Sequence, residues 1–184
     1  MKIKSQDGFS YIDVMIALVI LMIGVLGMLS AVSWSMVQAR GSEQQLLAKQ
    51  IATSTMESIM AVKETDPVRL GWPAVGNIGS NPDTATGVNQ GIFSVGFQPV
   101  LADAGTDEVV GTADDSGTPI QQVRRRIVIT DVCDPDRPSP TICNPAGTAA
   151  VRIRSVQVTI TYNVGGLQRQ EQLSTVLTDY AVVN

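Results

Sequence analysis

Phe9-Ser-Tyr-Ile-Asp13-Val-Met-Ile-Ala17-Leu-Val-Ile-Leu-Met-Ile-Gly24-Val-Leu-Gly27-Met-Leu-Ser-Ala31 holds a single charge, and none follows it until Arg40. Val14 to Leu29 are all apolar or glycine, and with their neighbours they reach the ~20 residues a helix needs to cross a bilayer. A carboxylate inside such a span costs about 2.5–3.5 kcal/mol on insertion scales, so Asp13 demands a partner. The alternative is a carboxylate snorkelling to the nearby headgroups. Before the run stands the polar leader Met1-Lys-Ile-Lys-Ser-Gln-Asp-Gly8. Lys2 and Lys4, with no basic residue until Arg40, place the N-terminus in the cytoplasm and the rest across the membrane. A secretory signal peptide competes, with Ala31-Val32-Ser33 as a cleavage site. The apolar run is longer than the ~7–15 residues of such a segment, and the helical pattern passes through the would-be cut.

Outward from the run, polarity rises while the helical pattern persists. Ser42 to Glu64 contain no glycine or proline, and Leu47, Ile51, Met56, Ile59, Met60 and Val62 recur at near-helical spacing among polar residues. This predicts one helix of roughly 50–55 residues, on the order of 80 Å long, ended by Pro67 and Gly71. Residues 67–91 are rich in Gly, Pro, Asn and Thr and read as a connection. Ile92 to Val100, Val123 to Val132, Val151 to Val164 and Leu167 to Leu177 read as strands, the last two joined by a tight Gly165-Gly166 turn. The expected class is α+β: a long N-terminal α-helix, membrane-spanning in its first half, with its second half packed on an antiparallel β-sheet of about four strands. The corresponding segments are a leader over 1–8, a transmembrane helix over 9–33, its amphipathic continuation over 34–66, the connection over 67–91 and a β-sheet globular domain over 92–184.

The chain has 184 residues, enough for an anchor and one ordinary domain, and its 13 Lys and Arg against 17 Asp and Glu leave a net charge of −4. That balance gives no general attraction to nucleic acid or anionic lipid. The chain has no histidine, which removes Ser-His and Cys-His chemistry and the commonest metal ligand. No catalytic residue is expected. Cys133 and Cys143 enclose a short proline-rich segment. Outside the cytoplasm a disulfide between them would brace a loop by about 2–3 kcal/mol. Two free thiols are the alternative, and zinc would find its tetrahedral shell half empty.

The run Gly8-Phe-Ser-Tyr-Ile-Asp-Val, continued by the apolar helix and Ile23-Gly-Val-Leu-Gly27, resembles the class III signal of type IV pilins and type II secretion pseudopilins, and is most similar to PilV-type minor pilins. The match covers about the first third of the chain; the rest agrees only in architecture, the pilin-like lollipop. The resemblance implies cleavage between Gly8 and Phe9 by a membrane-embedded prepilin peptidase and N-methylation of Phe9. Asp13 becomes the assembly carboxylate, where the family almost always has glutamate, one methylene longer. The freed amine of one subunit would sit beside the carboxylate of a neighbour; two unit charges ~4 Å apart attract by about 4 kcal/mol at an effective dielectric of 20. Ala17, Gly24 and Ala31 recur every seventh residue with Gly27 close by, a stripe that lets neighbouring helices approach. Gly24 and Gly27 also weaken the helix locally by about 1 kcal/mol each, so a local stretch or bend is expected there. Glycines tolerated in any membrane helix are the plainer account.

Two weaker signals remain. Asp103, Asp107, Asp114 and Asp115 lie in one glycine-containing loop; flexible oxygen-rich loops suit calcium, but the spacing is not an EF-hand and a solvated acidic loop is the stronger reading. Arg124-Arg125-Arg126 with Arg152 and Arg154 form a candidate basic stripe, but acidic total charge and few aromatics speak against nucleic acid as a partner. The expectation is a non-enzymatic minor pilin, without a resident cofactor unless calcium binds. Its partners would be other pilins or pseudopilins, prepilin peptidase, the inner-membrane assembly platform and the lipid bilayer. It would sit in the inner membrane as a single-pass precursor with a periplasmic domain, then in a pilus filament or its tip. A minor pseudopilin of a type II secretion system, and a bitopic periplasmic enzyme or adhesin with a signal anchor, are the competing readings.

Overall fold

The computed structural model describes residues 10–65, 71–83, 85–132 and 151–179. Gly8, Phe9, Pro67, Cys133 and Cys143 lie outside the described residues, and with them the cleavage site and the cysteine brace. One α-helix, α1, runs Tyr11–Glu64, 54 residues, the length the hydrophobic pattern predicts. It continues through Gly24 and Gly27 without interruption, because neither glycine removes a backbone hydrogen bond.

From Tyr11 to Val37 the helix is apolar on nearly every side and covered on none. Its large apolar side chains from Tyr11 to Val37 are 46–76% exposed. The hydroxyls of Ser30, Ser33 and Ser42 donate to the carbonyls of Leu26, Leu29 and Gln38, one turn back, at 3.0, 2.9 and 3.2 Å. By length and composition this helix can cross a membrane.

Over residues 43–179 the second half of α1 packs on a four-stranded antiparallel sheet. Its strands are β1 (Phe97–Pro99), β2 (Arg124–Asp131), β3 (Ile153–Val164) and β4 (Leu167–Thr178), in that order across the sheet. The contact stripe is Ala48, Ala52, Thr55, Met56, Ile59 and Val62, all buried, at the three- and four-residue steps of one helical face. The sequence pattern anticipates only half of it. Met60 is 40% exposed, while the small residues Ala48, Ala52 and Thr55 are buried in its stead. Thr55 donates to Ile51 O at 2.8 Å, so its buried hydroxyl is not left unpaired.

The opposing face comes from alternate residues of β3: Val156, Val158 and Ile160 are fully buried, with Tyr162 and Val164 beside them and Ile127 from β2. Each such side chain contributes about 1.5–3 kcal/mol by leaving water. Gly165 and Gly166 both have positive φ, 56° and 84°, as a two-residue type I′ hairpin turn requires, and they set the register Val164 opposite Leu167.

The first predicted strand shrinks to three residues. Gly96, at φ 78°, breaks the run, and Phe93 turns inward to full burial, bridging Asn77 instead. The segment read as a plain connection is therefore built into the core. Ala74 and Val75 are buried, and the Asn77 carboxamide donates to Ile127 O at 3.0 Å and accepts from Ile129 N at 2.9 Å. This side chain pairs with β2 where β1 has ended, doing for two backbone groups what a longer strand would have done. Gly91 is fixed by the same arrangement, since a Cβ there would lie 2.2 Å from Asn77 O.

Candidate assembly carboxylate and the acidic loop

Asp13 stands in the first turn of α1. Ser10 precedes the helix, its carbonyl accepts from the amides of Asp13 and Val14 at 3.0 and 3.3 Å, and its own amide donates to Asp13 Oδ2 at 3.2 Å. Ser-x-x-Asp here acts as half of a capping box, the acidic side chain reaching back to an orphan N–H. The positive end of the helix dipole favours the same charge. Asp13 thus has one side-chain hydrogen bond among the described residues, and the only acid of the apolar stretch sits at its edge. Ala17, Gly24, Gly27 and Ala31 fall on the uncovered part of the helix, and nothing lies within 4 Å of a Cβ built on either glycine.

The four loop aspartates do not share one task. Asp103 caps a turn, accepting from Gly105 N at 2.9 Å, and its backbone exchanges hydrogen bonds with Ser116. Asp107 accepts from Val109 N at 2.8 Å; partial burial raises its pKa against that bond. Asp114 accepts from the hydroxyl of Thr112 at 2.7 Å and from both the hydroxyl and the amide of Thr106 at 2.9 and 2.8 Å. These donors, the two hydroxyls foremost, hold its carboxyl far below the usual carboxylate range. Asp115 accepts from Gly111 N at 2.9 Å and faces the Arg125 guanidinium at 2.6 Å. Protein donors therefore engage at least one oxygen of each of the four carboxylates. Among the described residues no three His, Cys, Asp or Glu side chains gather as a metal-binding group.

Asp115 and Arg125 form a buried ion pair, 8% and 2% exposed, which fastens the acidic loop to β2. Burial pulls the Arg125 pKa down and Asp115 works against it. Arg125 Nη1 has no acceptor among the described residues. A cavity of about 270 Å³ adjoins the pair, bounded also by Ser94, Gln98 and Thr112.

The basic stripe comes apart in the fold. Arg125 points to the helix side of the sheet with Ile127, whereas Arg124 and Arg126 point to the other, where Arg124 donates to Phe97 O at 3.2 Å and Arg126 lies over the Phe97 ring. Arg154, 5% exposed, pairs with Asp131 at 3.1 Å, donates to Trp72 O and Val75 O, and stacks 4.4 Å from the Trp72 ring. Two of the five arginines are structural bolts rather than a surface for an anion.

No family model, curated protein or solved structure matches this chain.

Proposed function

We propose that the chain is a pilin-like structural subunit, inserted as a precursor, cut between Gly8 and Phe9, N-methylated at Phe9 and assembled through α1 into a type IV pilus as a minor component. The observation that carries this reading is Asp13: one carboxylate at the threshold of a helix that is otherwise uncharged as far as Ala39 and bare on all sides as far as Val37. An uncovered apolar helix needs lipid or other helices around it, and the small-residue stripe Ala17, Gly24, Gly27 and Ala31 suits the second. The α+β domain carried beyond the helix is of the kind such subunits display. Among the described residues Asp13 has a single donor, which leaves lone pairs for a cationic terminus released by proteolysis on a neighbouring subunit. At ~4 Å that attraction, about 4 kcal/mol at an effective dielectric of 20, exceeds the insertion penalty of the carboxylate.

The test is mass spectrometry of the N-terminus of protein recovered from cells with and without prepilin peptidase. The reading expects a chain beginning with N-methylphenylalanine at Phe9 in the first strain and an intact leader in the second. Retention of residues 1–8 in both would remove it.

A further inference from the structure

Among the described residues, nothing covers the far edge of the sheet. β4 is twelve residues long, Leu167–Thr178, it borders only β3, and among the described residues nothing bonds to its outward N–H and C=O groups. It contains no proline, and Arg169 and Glu171 are its only charges. Natural edges of this length are normally shortened, bulged, charged or covered. Two apolar side chains on its helix side, Leu167 and Leu173, remain 68% and 37% exposed, and Arg169 has no acid within ion-pair distance among the described residues.

We infer that β4 pairs with β4 of a second copy, antiparallel about a two-fold axis at Gln170. The register follows from charge and face. Leu167, Arg169, Glu171 and Leu173 lie opposite Val164, Tyr162, Ile160 and Val158 of β3, so all four occupy the helix side. Directly opposed residues of an antiparallel pair share a face. Centring the pair on Gln170 sets Arg169 opposite Glu171 twice and Leu167 opposite Leu173 twice. On the other face it sets Gln168 opposite Gln172 and Gln170 opposite its own copy, four carboxamides able to bond in a ladder. Sliding the register by two residues places Arg169 against Arg169 in one direction and Glu171 against Glu171 in the other, both repulsive. Sliding it by one sets the helix side of one sheet beside the outer side of the other. The edge is thus self-complementary in one alignment and penalised in its neighbours, which is what an isologous contact requires.

This contact stands independently of the pilin reading. Its axis is perpendicular to the sheet, so the helices packed on the two sheets run in opposite directions.

The test is disulfide trapping of the full chain in detergent micelles under mild oxidation, with the wild-type chain, which keeps Cys133 and Cys143, as the background. Gln170→Cys should give a crosslinked dimer well above that background. Gln168→Cys and Gln172→Cys should give none alone and a dimer when combined. Arg169→Glu and Glu171→Arg should each lower the Gln170→Cys yield several-fold, and the two reversals together should restore it, with circular dichroism confirming a folded chain in each. Equal yields from Gln168→Cys and Gln170→Cys, or a dimer indifferent to both single reversals, would overturn the proposal; the second outcome would assign association to α1 instead.

Discussion

Asp13 shows how little a single side chain can be moved. It sits one helical turn from Ser10 N, and its Oδ2 lies 3.2 Å from that amide. Asp13→Asn keeps a weaker acceptor for the cap but removes the charge, whereas Asp13→Ala removes both. Under the proposed function, both variants should enter filaments poorly, and the asparagine form should still give a normally inserted precursor, which immunoblots of sheared filaments and of membranes would show. Wild-type amounts of Asp13→Ala in filaments would refute the electrostatic part of the proposal. Asn77 is the other residue whose geometry leaves no slack. Replacing it by alanine strands Ile127 O and Ile129 N, and each buried unpaired group costs about 1–3 kcal/mol. The expected effect is a loss of that order in denaturant unfolding with the slope unchanged. Asp83 and Asp114 carry the acid response. Their hydrogen-bond donors hold both pKa values below the ordinary 3.8, so their stabilising contribution is full above that value and is lost as pH falls through the lowered ones. Asp107, raised by burial, acts in the opposite sense, slightly weakening the fold as pH rises through its own range. Unfolding midpoints should hold their Asp83 and Asp114 contribution from pH ~7 down to the ordinary 3.8 and lose it as pH drops further towards ~2, and Asp114→Asn should flatten that drop.

At the scale of elements, α1 and the β3–β4 hairpin were legible in the sequence because each rests on a local rule. The helix follows from apolar residues at helical spacing without breakers, and the hairpin from alternating β-branched residues on either side of Gly165-Gly166. β1 and the inner stripe of α1 were not, because they depend on what lies opposite. Ala48 and Ala52 carry little hydrophobic signal of their own, yet the helix face they occupy makes them core. Ala52→Leu should overpack this contact and cost about 1–3 kcal/mol, while Met60→Ala, on the open side, should change the unfolding midpoint little. The split of the arginine run was readable in principle, since Val123, Arg125 and Ile127 alternate with Arg124 and Arg126 as a half-buried strand does. What alternation cannot supply is the partner: Asp115 lies in a loop, and only the fold brings it to Arg125. The hydrogen bonds of the acidic loop were not legible for the same reason, because a sequence shows carboxylates and not the donors that reach them.

For the molecule as a whole, the aromatic residues mark where a bilayer would begin and end. Tyr11 and Trp34, 76% and 74% exposed, bracket the apolar stretch and are separated by about 35 Å at 1.5 Å per residue, slightly more than the ~30 Å of hydrocarbon in a membrane. Such residues favour the headgroup level. In vesicles, Trp34 of a Trp72→Phe chain should be quenched more by lipids brominated near the headgroup than by lipids brominated near the bilayer centre. The reverse order would mean that the helix lies deeper or does not span. From Val14 to Ser33 the sole hydroxyls are those of Ser30 and Ser33, and each already donates to its own backbone. Nothing in that interval asks its surroundings for a proton or a lone pair. Acyl chains and the flanks of sibling helices are therefore interchangeable neighbours for it, and passage from one to the other requires only repacking of methyl groups.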